Sequence, residues 1–274
     1  LGRNQTCFGF ISISNLISDS IFLKSKLPTY QMDSLIECCT KGDLEALKKM
    51  NLQFAEKVDL GFLHANRYNH INVVEYLLDF EFLNFEITIS QALRIACLNG
   101  YFDLVKLLSK SNKGDVIVPL TIACQHDHLD IVKFLLPTAN IDNPGLNMIF
   151  RCACENGSLR TAKFLLSFSN DSENDLAIKI NGRENRAFKY SCFYGKLDVV
   201  KFLISKMEKS DLDQCMNIGF VYACEKGHLD VAEYLFSIEE QLDDLDEIYR
   251  TACKNGHLEI IKFLFSIGKD KITM

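Results

Sequence analysis

Cysteine and histidine recur in this sequence at a spacing that could bind a metal ion. Three segments have a histidine four residues after a cysteine: Cys124 and His128, Cys224 and His228, and Cys253 and His257. Thiolates and imidazoles are common ligands of Zn²⁺, so each segment is a candidate ligand pair. A structural zinc site needs four ligands, however, and the three pairs are at least 29 residues apart.

Related segments of the chain argue against the metal interpretation. The cysteine position is filled by Asn66 in one of them, and the histidine position is filled by unrelated residue types in four others: Asp43, Tyr101, Ser158 and Lys196. We therefore predict no metal site and no cofactor. Cys152, Cys154 and the Cys38-Cys39 pair are interpreted in the same way, as small residues embedded in helices.

No catalytic motif stands out either. The sequence has no Gly-x-Ser-x-Gly nucleophile segment, no glycine-rich phosphate loop and no His-Glu-x-x-His segment. His126 and His128 lie near Asp127 in the sequence, but a single His-Asp proximity is weak evidence for acid–base catalysis. We predict that the chain is not an enzyme and has no catalytic residues.

Composition narrows the classes of partner and compartment. The chain has 274 residues and a net charge of -6, which argues against nucleic-acid binding because that binding depends on neutralising phosphates. Its 11 cysteines are an odd number spread along a long chain, which favours free thiols and a cytoplasmic location. Polar residues interrupt the apolar stretch at 7–23, so it predicts neither a membrane span nor a secretory signal. Residues 1–31 are assigned to an N-terminal extension, for which a targeting role stays open.

The cysteines and histidines belong to a repeated segment. Residues 223–236 read ACEKGHLDVAEYLF, and residues 252–265 read ACKNGHLEIIKFLF. The glycine of this segment, or an asparagine or aspartate in its place, recurs at intervals of 27 to 38 residues: Gly42, Asn69, Gly100, Asp127, Gly157, Gly195, Gly227 and Gly256. These residue types tolerate a positive φ best, so we predict that each of the eight corners ends a helix in the left-handed conformation.

Each copy predicts a pair of helices around its corner. A short first helix carries two small residues, usually Ala-Cys, and a longer second helix carries an apolar stripe such as Val199, Val200 and Leu203. On the second helix an acid is followed three residues later by a charged residue, mostly lysine, which predicts ion pairs on a solvated outer face. No pair can bury its stripe alone, so the pairs must stack, and residues 32–274 form one array. The polar stretch at 167–186 predicts an extended loop.

The segments after the corners resemble the ankyrin repeat. HLDIVKFLL, KLDVVKFLI and HLEIIKFLF are close to the family pattern, and the resemblance covers about residues 33–266. The Thr-Pro-Leu-His opening of the family is approached only at residues 118–121, and the connecting loops lack the usual Gly-Ala-Asp hairpin. The resemblance is to divergent arrays such as those of protists and large DNA viruses. It implies an all-α solenoid of about eight stacked helix-turn-helix repeats with few or no β-hairpins; a tetratricopeptide-type solenoid fits the period less well.

The resemblance also implies a function. Ankyrin-type arrays bind proteins through a concave surface, so we expect a monomeric, non-catalytic interaction module whose partners are proteins and neither nucleic acids nor membranes. An alternative is an adaptor or regulatory part of a larger protein or complex whose enzymatic activity lies elsewhere. The two residues before each corner would contact the partner: Arg67-Tyr68, Leu98-Asn99, Gln125-His126, Glu155-Asn156, Phe193-Tyr194, Glu225-Lys226 and Lys254-Asn255. Phe193, Tyr194 and Tyr68 are the strongest candidates, because aromatic residues dominate interface energies.

Overall fold

The computed structural model describes residues 29–50, 52, 58–80, 85–111, 115–171, 178–180, 182–239 and 245–267. Their regular structure is helical, with no strand in these ranges. The described part of the chain divides into two compact units. Unit 1 takes the residues up to Ile122 together with Phe134–Ala139, and unit 2 takes Ala123–Lys133 together with the residues from Asn140 onward. The predicted extension at residues 1–31 falls almost wholly outside the described residues, of which the first is Thr29.

Unit 1 is built from paired helices. They are α1 (Thr29–Lys41), α2 (Leu44–Lys48), α3 (Val58–Arg67), α4 (Ile71–Leu78), α5 (Phe85–Asn99) and α6 (Phe102–Ser111). The first helices of successive pairs pack side by side, α1 on α3 and α3 on α5, and the second helix α4 packs on α6. Two further helices, α7 (Ile117–Gln125) and α8 (Leu129–Leu135), each contain residues of both units, and a 3₁₀ turn at Leu136–Thr138 follows.

Unit 2 repeats the same plan. Its helices are α9 (Asn143–Asn156), α10 (Leu159–Asp171), α11 (Gly182–Phe193), α12 (Leu197–Ile204), α13 (Lys209–Lys226), α14 (Leu229–Ile238), α15 (Leu245–Asn255) and α16 (Leu258–Ile267). The first helices form one layer in the order α9, α11, α13, α15, and the second helices form the other layer in the order α10, α12, α14, α16. The predicted stacking of helix pairs is therefore confirmed within each unit.

All eight corners have the predicted left-handed backbone. Their φ angles lie between 57° and 82°, including Asn69 at 60° and Asp127 at 57°. At each corner the following residue donates its N–H to the carbonyl five residues earlier, as Ser158 does to Ala153 at 2.9 Å. Gly157 itself donates to Cys154 at 3.1 Å, which completes a Schellman motif and satisfies carbonyls at the helix end. The structure adds a left-handed residue that the repeat pattern did not predict, Asn185 near the start of α11, with φ 59°.

The small residues before the corners lie in the core, as predicted. Six cysteines of this position are fully buried: Cys39, Cys97, Cys124, Cys154, Cys192 and Cys224. The first helix of the next pair approaches some of them closely, because a Cβ added to Gly61 would lie 3.0 Å from the sulfur of Cys39. The exception is Cys253 of α15, which is exposed.

The predicted lengths of the two helices were wrong. The first helix is the longer one in every pair of unit 2, most clearly for α13 with 18 residues against 10 in α14. The difference arises because the first helices begin inside segments that were interpreted as loops. The carboxylate of Asp142 accepts the N–H of Gly145 at 2.7 Å, and a proline in the first turn completes the start of α9. Likewise, α10 continues to Asp171 and α11 begins at Gly182, so helix occupies both ends of the predicted loop at 167–186.

The lysines of the second helices have two different environments. Three form the predicted pairs with an acid three residues earlier: Lys48 with Glu45, Lys106 with Asp103 and Lys262 with Glu259. Three others in unit 2 lie over an aromatic ring of the next repeat: Lys133 over Phe164, Lys163 over Phe202 and Lys201 over Tyr234, at 5.2 to 5.8 Å. These three lysines are exposed, as predicted for the outer face, but they also join one repeat to the next through cation–π contacts that were not predicted.

Candidate functional site

The side chain that follows a corner connects its repeat to the preceding one. It contacts the carbonyl two residues before the preceding corner in five cases: His70 to Thr40, Tyr101 to Arg67, Ser158 to Gln125, His228 to Phe193 and His257 to Glu225, at 2.8 to 3.4 Å. The histidines of two Cys-x-x-x-His segments are thus engaged through Nε2 with backbone oxygens. The structure gives them a role in stacking the repeats, and no group of three or more metal-ligating side chains is assembled in the described ranges.

At three of the eight corners, Gly42, Gly195 and Gly227, the histidine ring of the next repeat also explains why the residue is glycine. A Cβ added to Gly227 would lie 2.7 Å from Nδ1 of His257, and one added to Gly195 would lie 2.4 Å from Nδ1 of His228. Contacts that short are not tolerated, so these corners need glycine for space as well as for backbone conformation. The interpretation of the corner glycines as helix ends alone was incomplete.

Asp127 uses its corner position differently. Its carboxylate accepts the backbone N–H and the hydroxyl of Thr161, at 2.9 and 2.8 Å, and so caps the start of α10. Arg160 donates to the same carboxylate at 2.9 Å and to the carbonyl of Asp127 at 2.9 Å. The His-Asp proximity considered in the sequence is therefore accounted for by a helix cap.

The seven predicted contact pairs end the first helices of both units. Arg67-Tyr68 and Leu98-Asn99 belong to unit 1, and the other five pairs belong to unit 2. The second residue of every pair is exposed, and Tyr68 exposes half of its surface. The first residue is half-buried in five pairs: Leu98, Gln125, Glu155, Phe193 and Glu225.

All three asparagines in these pairs form hydrogen bonds within the protein. Asn99 donates its amide to the carbonyl of Ile95 at 2.9 Å, and Asn156 donates to that of Cys152 at 2.8 Å. Asn255 donates to the carbonyl of Glu225 at 3.0 Å. These amides satisfy carbonyls near helix ends, which favours a structural role for the three asparagines over a contact with a partner.

Phe193 and Tyr194 lie in a cluster of aromatic rings. The cluster consists of Tyr190, Phe193 and Tyr194 around the end of α11, and Tyr222 of α13. Phe193 lies 5.0 Å from Tyr194 and 5.6 Å from Tyr222, in both cases edge to face, and Tyr190 stacks on Tyr194 at 6.3 Å. The ammonium of Lys226 lies 4.5 Å from the centre of the Phe193 ring and 3.1 Å from the carboxylate of Glu225.

Close packing of α11 against α13 brings these rings together. Gly219 of α13 faces Phe188 and Cys192 of α11, and an added Cβ would lie 2.7 Å from the Phe188 ring. One turn further along α13, Tyr222 consequently reaches Phe193. Tyr190 and Tyr222 were not predicted, although each lies four residues before an exposed pair member, Tyr194 or Lys226, and i,i+4 positions share a helix face.

Comparison with known proteins agrees with the repeat pattern. A family model of ankyrin repeats matches in three copies, at residues 117–177, 153–246 and 188–274, which together span more than half of the chain. The chain belongs to the ankyrin repeat family. A protein of Acanthamoeba polyphaga mimivirus, itself named as an ankyrin repeat protein, is 31% identical over 103 residues, which are 37% of this chain and 95% of that protein. Ankyrin repeats are in general protein–protein interaction modules, and no helix of the described residues is both long and apolar enough to span a membrane.

Proposed function

We propose that these ankyrin repeats form a non-catalytic module that binds a protein partner through the first helices of unit 2, with the aromatic cluster as its main anchor. Two residues of a predicted contact pair, Phe193 and Tyr194, meet the rings of Tyr190 and Tyr222, and Tyr194 exposes 40% of its surface. Partly exposed aromatic rings of this kind contribute large contact area at little cost in side-chain entropy, and they are enriched among interface hot spots.

The cluster also has the rigidity that an anchor requires. Phe193 lies between two tyrosine rings and beneath an ammonium group, and its carbonyl is held by His228 of the next repeat at 3.0 Å. A partner would therefore meet side chains that are already ordered, so little conformational entropy would be lost on binding.

The double substitution Phe193→Ala and Tyr194→Ala tests this function. The full chain is first used as bait to capture a protein partner, which is then purified. We expect the double variant to bind this partner about tenfold or more weakly than the unsubstituted chain does. A matched control replaces Phe202 and Tyr234, two half-buried aromatic residues of the second helices, by alanine. Isothermal titration supplies the affinities and circular dichroism the helix content. Equal loss of affinity in both double variants, or none in either, would contradict the proposed site.

A further inference from the structure

The C-terminal ends of the first helices of unit 2 form a face with more basic than acidic side chains, although the whole chain is acidic. This face consists of the nine residues before each of the corners Gly157, Gly195, Gly227 and Gly256. It carries six basic side chains and three acidic ones: Arg151, Arg186, Lys189, Lys226, Arg250 and Lys254 against Glu155, Glu225 and Glu247. The chain as a whole has a net charge of -6, so positive charge is concentrated on the face that contains the aromatic cluster.

The acidic side chains of this face are all neutralised within their own helices. Glu155 pairs with Arg151 at 3.2 Å, Glu225 with Lys226 at 3.1 Å and Glu247 with Arg250 at 3.8 Å. The three remaining cations, Arg186, Lys189 and Lys254, form no ion pair with any of the described residues. Within the described ranges, the face therefore has three cations without an ion-pair partner, of which Arg186 and Lys254 are exposed and Lys189 is half-buried.

These charges flank the aromatic cluster in a regular arrangement. Arg186 and Tyr190 of α11 and Tyr194 directly after it follow one another at intervals of four residues, and the outer two are exposed while Tyr190 is half-buried. On α13, Ile218, Tyr222 and Lys226 show the same alternation. Because residues four apart share a helix face, the two stripes run side by side with tyrosine at the centre of each and a cation at one end. Lys189 lies one turn before Phe193, and Lys254 belongs to α15, which packs on α13.

We propose that this face binds an acidic peptide segment that inserts an apolar or aromatic side chain among the rings. The inference rests on the proposed function and adds the chemistry of the partner. Carboxylates of the segment would pair with Arg186, Lys189 and Lys254, and its apolar side chain would pack against Tyr194 and Ile218. Complementary charge increases the association rate and excludes partners of the wrong sign. A basic peptide is disfavoured, because the ammonium of Lys226 already occupies the Phe193 ring face.

A peptide array tests the charge of the partner directly. The array carries peptides with one Phe or Leu in sequence contexts that are acidic, neutral or basic, and it is probed with the labelled full chain at low and at high salt. We expect the acidic peptides to bind best and to lose at least tenfold in binding at high salt, because exposed charge pairs are screened. A single-stranded oligonucleotide of matched length is included as a competing polyanion.

Charge-reversal variants assign the effect to the face. Lys189→Glu combined with Lys254→Glu should reduce acidic-peptide binding at least tenfold. The control is Lys206→Glu combined with Lys262→Glu, which changes the net charge of the chain equally but lies outside this face, and it should retain binding. Loss of binding in the control as well, preference for neutral or basic peptides, tighter binding of the oligonucleotide, or binding to no peptide would each overturn the inference.

The same array separates this inference from the proposed function. Neutral or basic peptides that bind the unsubstituted chain but not the Phe193→Ala, Tyr194→Ala variant would overturn the acidic partner and leave the aromatic anchor standing. Acidic peptides that bind both chains equally would overturn the anchor, and with it this inference.

Discussion

At the scale of single residues, the residue type at a corner is coupled to a side chain of the next repeat. That side chain belongs to the residue directly after the corner of the next repeat. Gly42, Gly195 and Gly227 are each followed in the next repeat by a histidine whose ring would touch an added Cβ. The two corners that are not glycine, Asn69 and Asp127, are followed instead by Tyr101 and Ser158, which reach the same carbonyl position. At these corners, the residue type is thus determined by the neighbouring repeat as well as by the positive φ angle of the backbone.

Alanine substitutions at three corner glycines should separate these two causes. Gly227, Gly157 and Gly256 have similar φ angles of 81°, 82° and 75°, so each alanine should cost about 1 kcal/mol of backbone strain. At Gly227 the new Cβ also displaces the His257 ring and its hydrogen bond, which should cost about 1 kcal/mol more. The flexible chain of Lys196 can move away at Gly157, and at Gly256 the new Cβ would have no described atom within 4 Å beyond its neighbours in the chain.

Urea unfolding followed by circular dichroism measures these differences. The Gly227→Ala variant should have the lowest midpoint of the three. Three equal midpoints would show that the histidine ring adjusts without cost and that backbone conformation alone selects glycine.

At the scale of helices, one buried position departs from the repeated pattern. Asn66 of α3 stands where other repeats have cysteine, and it is fully buried. Its amide donates to the carbonyl of Ala92 on α5 at 2.9 Å, but its side-chain oxygen has no hydrogen-bond partner among the described residues. A buried acceptor without a partner is destabilising, and the one hydrogen bond offsets this cost only in part.

Replacing Asn66 by the repeated residue should therefore be tolerated. We expect Asn66→Cys to leave the free energy of unfolding unchanged or to raise it by about 1 kcal/mol, because the unsatisfied oxygen is removed. The reverse substitution, Cys97→Asn, places a polar group at an apolar position and should destabilise by at least 1 kcal/mol. Thermal melting of both variants checks the pair. A clear loss of stability in Asn66→Cys would show that the hydrogen bond to Ala92 outweighs the unpaired oxygen.

Some features of these helices could be predicted from the sequence and others could not. The corners were predictable because positive φ restricts residue type so strongly, and the buried stripe because a period of 3.6 residues is explicit in segments such as 197–204. The starts of the first helices were missed because proline and asparagine at 143–144 indicate a loop and a helix N-terminus equally well. Tyr190 and Tyr222 were missed because their meeting depends on the close approach permitted by Gly219, which is a property of two helices together.

At the scale of the whole molecule, the repeats place a series of thiols in the core. Burial raises the pKa of Cys97 and of Cys224 to about 12, from an ordinary value of 9.0. A thiol whose pKa is higher in the folded protein contributes its full stability below pH 9. That contribution is lost as the pH rises from 9 towards 12, because the unfolded chain releases its proton first.

Alkaline pH should therefore lower the free energy of unfolding, and the share of this loss that one buried cysteine causes should be measurable. Between pH 8 and pH 10, we expect the Cys224→Ala variant to lose about 1 kcal/mol less stability than the unsubstituted chain. Val231→Ala is the control, because Val231 is fully buried but has no titratable group, so its removal should leave the pH dependence unchanged. Urea midpoints at the two pH values provide the comparison. Parallel pH profiles for all three chains would refute a contribution from the buried thiol.

The link between each corner and the next repeat also limits how such a gene can be rearranged. A duplication or crossover that moves a histidine-bearing repeat behind Gly195 or Gly227 preserves the fit, since the ring finds the space it needs. The same repeat inserted behind Asn69 or Asp127 would bring an imidazole against a side chain that is already there. Only some orders of repeats are therefore compatible with this packing. A chimera in which a histidine-bearing repeat follows Asn69 or Asp127 should have a lower melting temperature than one in which it follows Gly195 or Gly227.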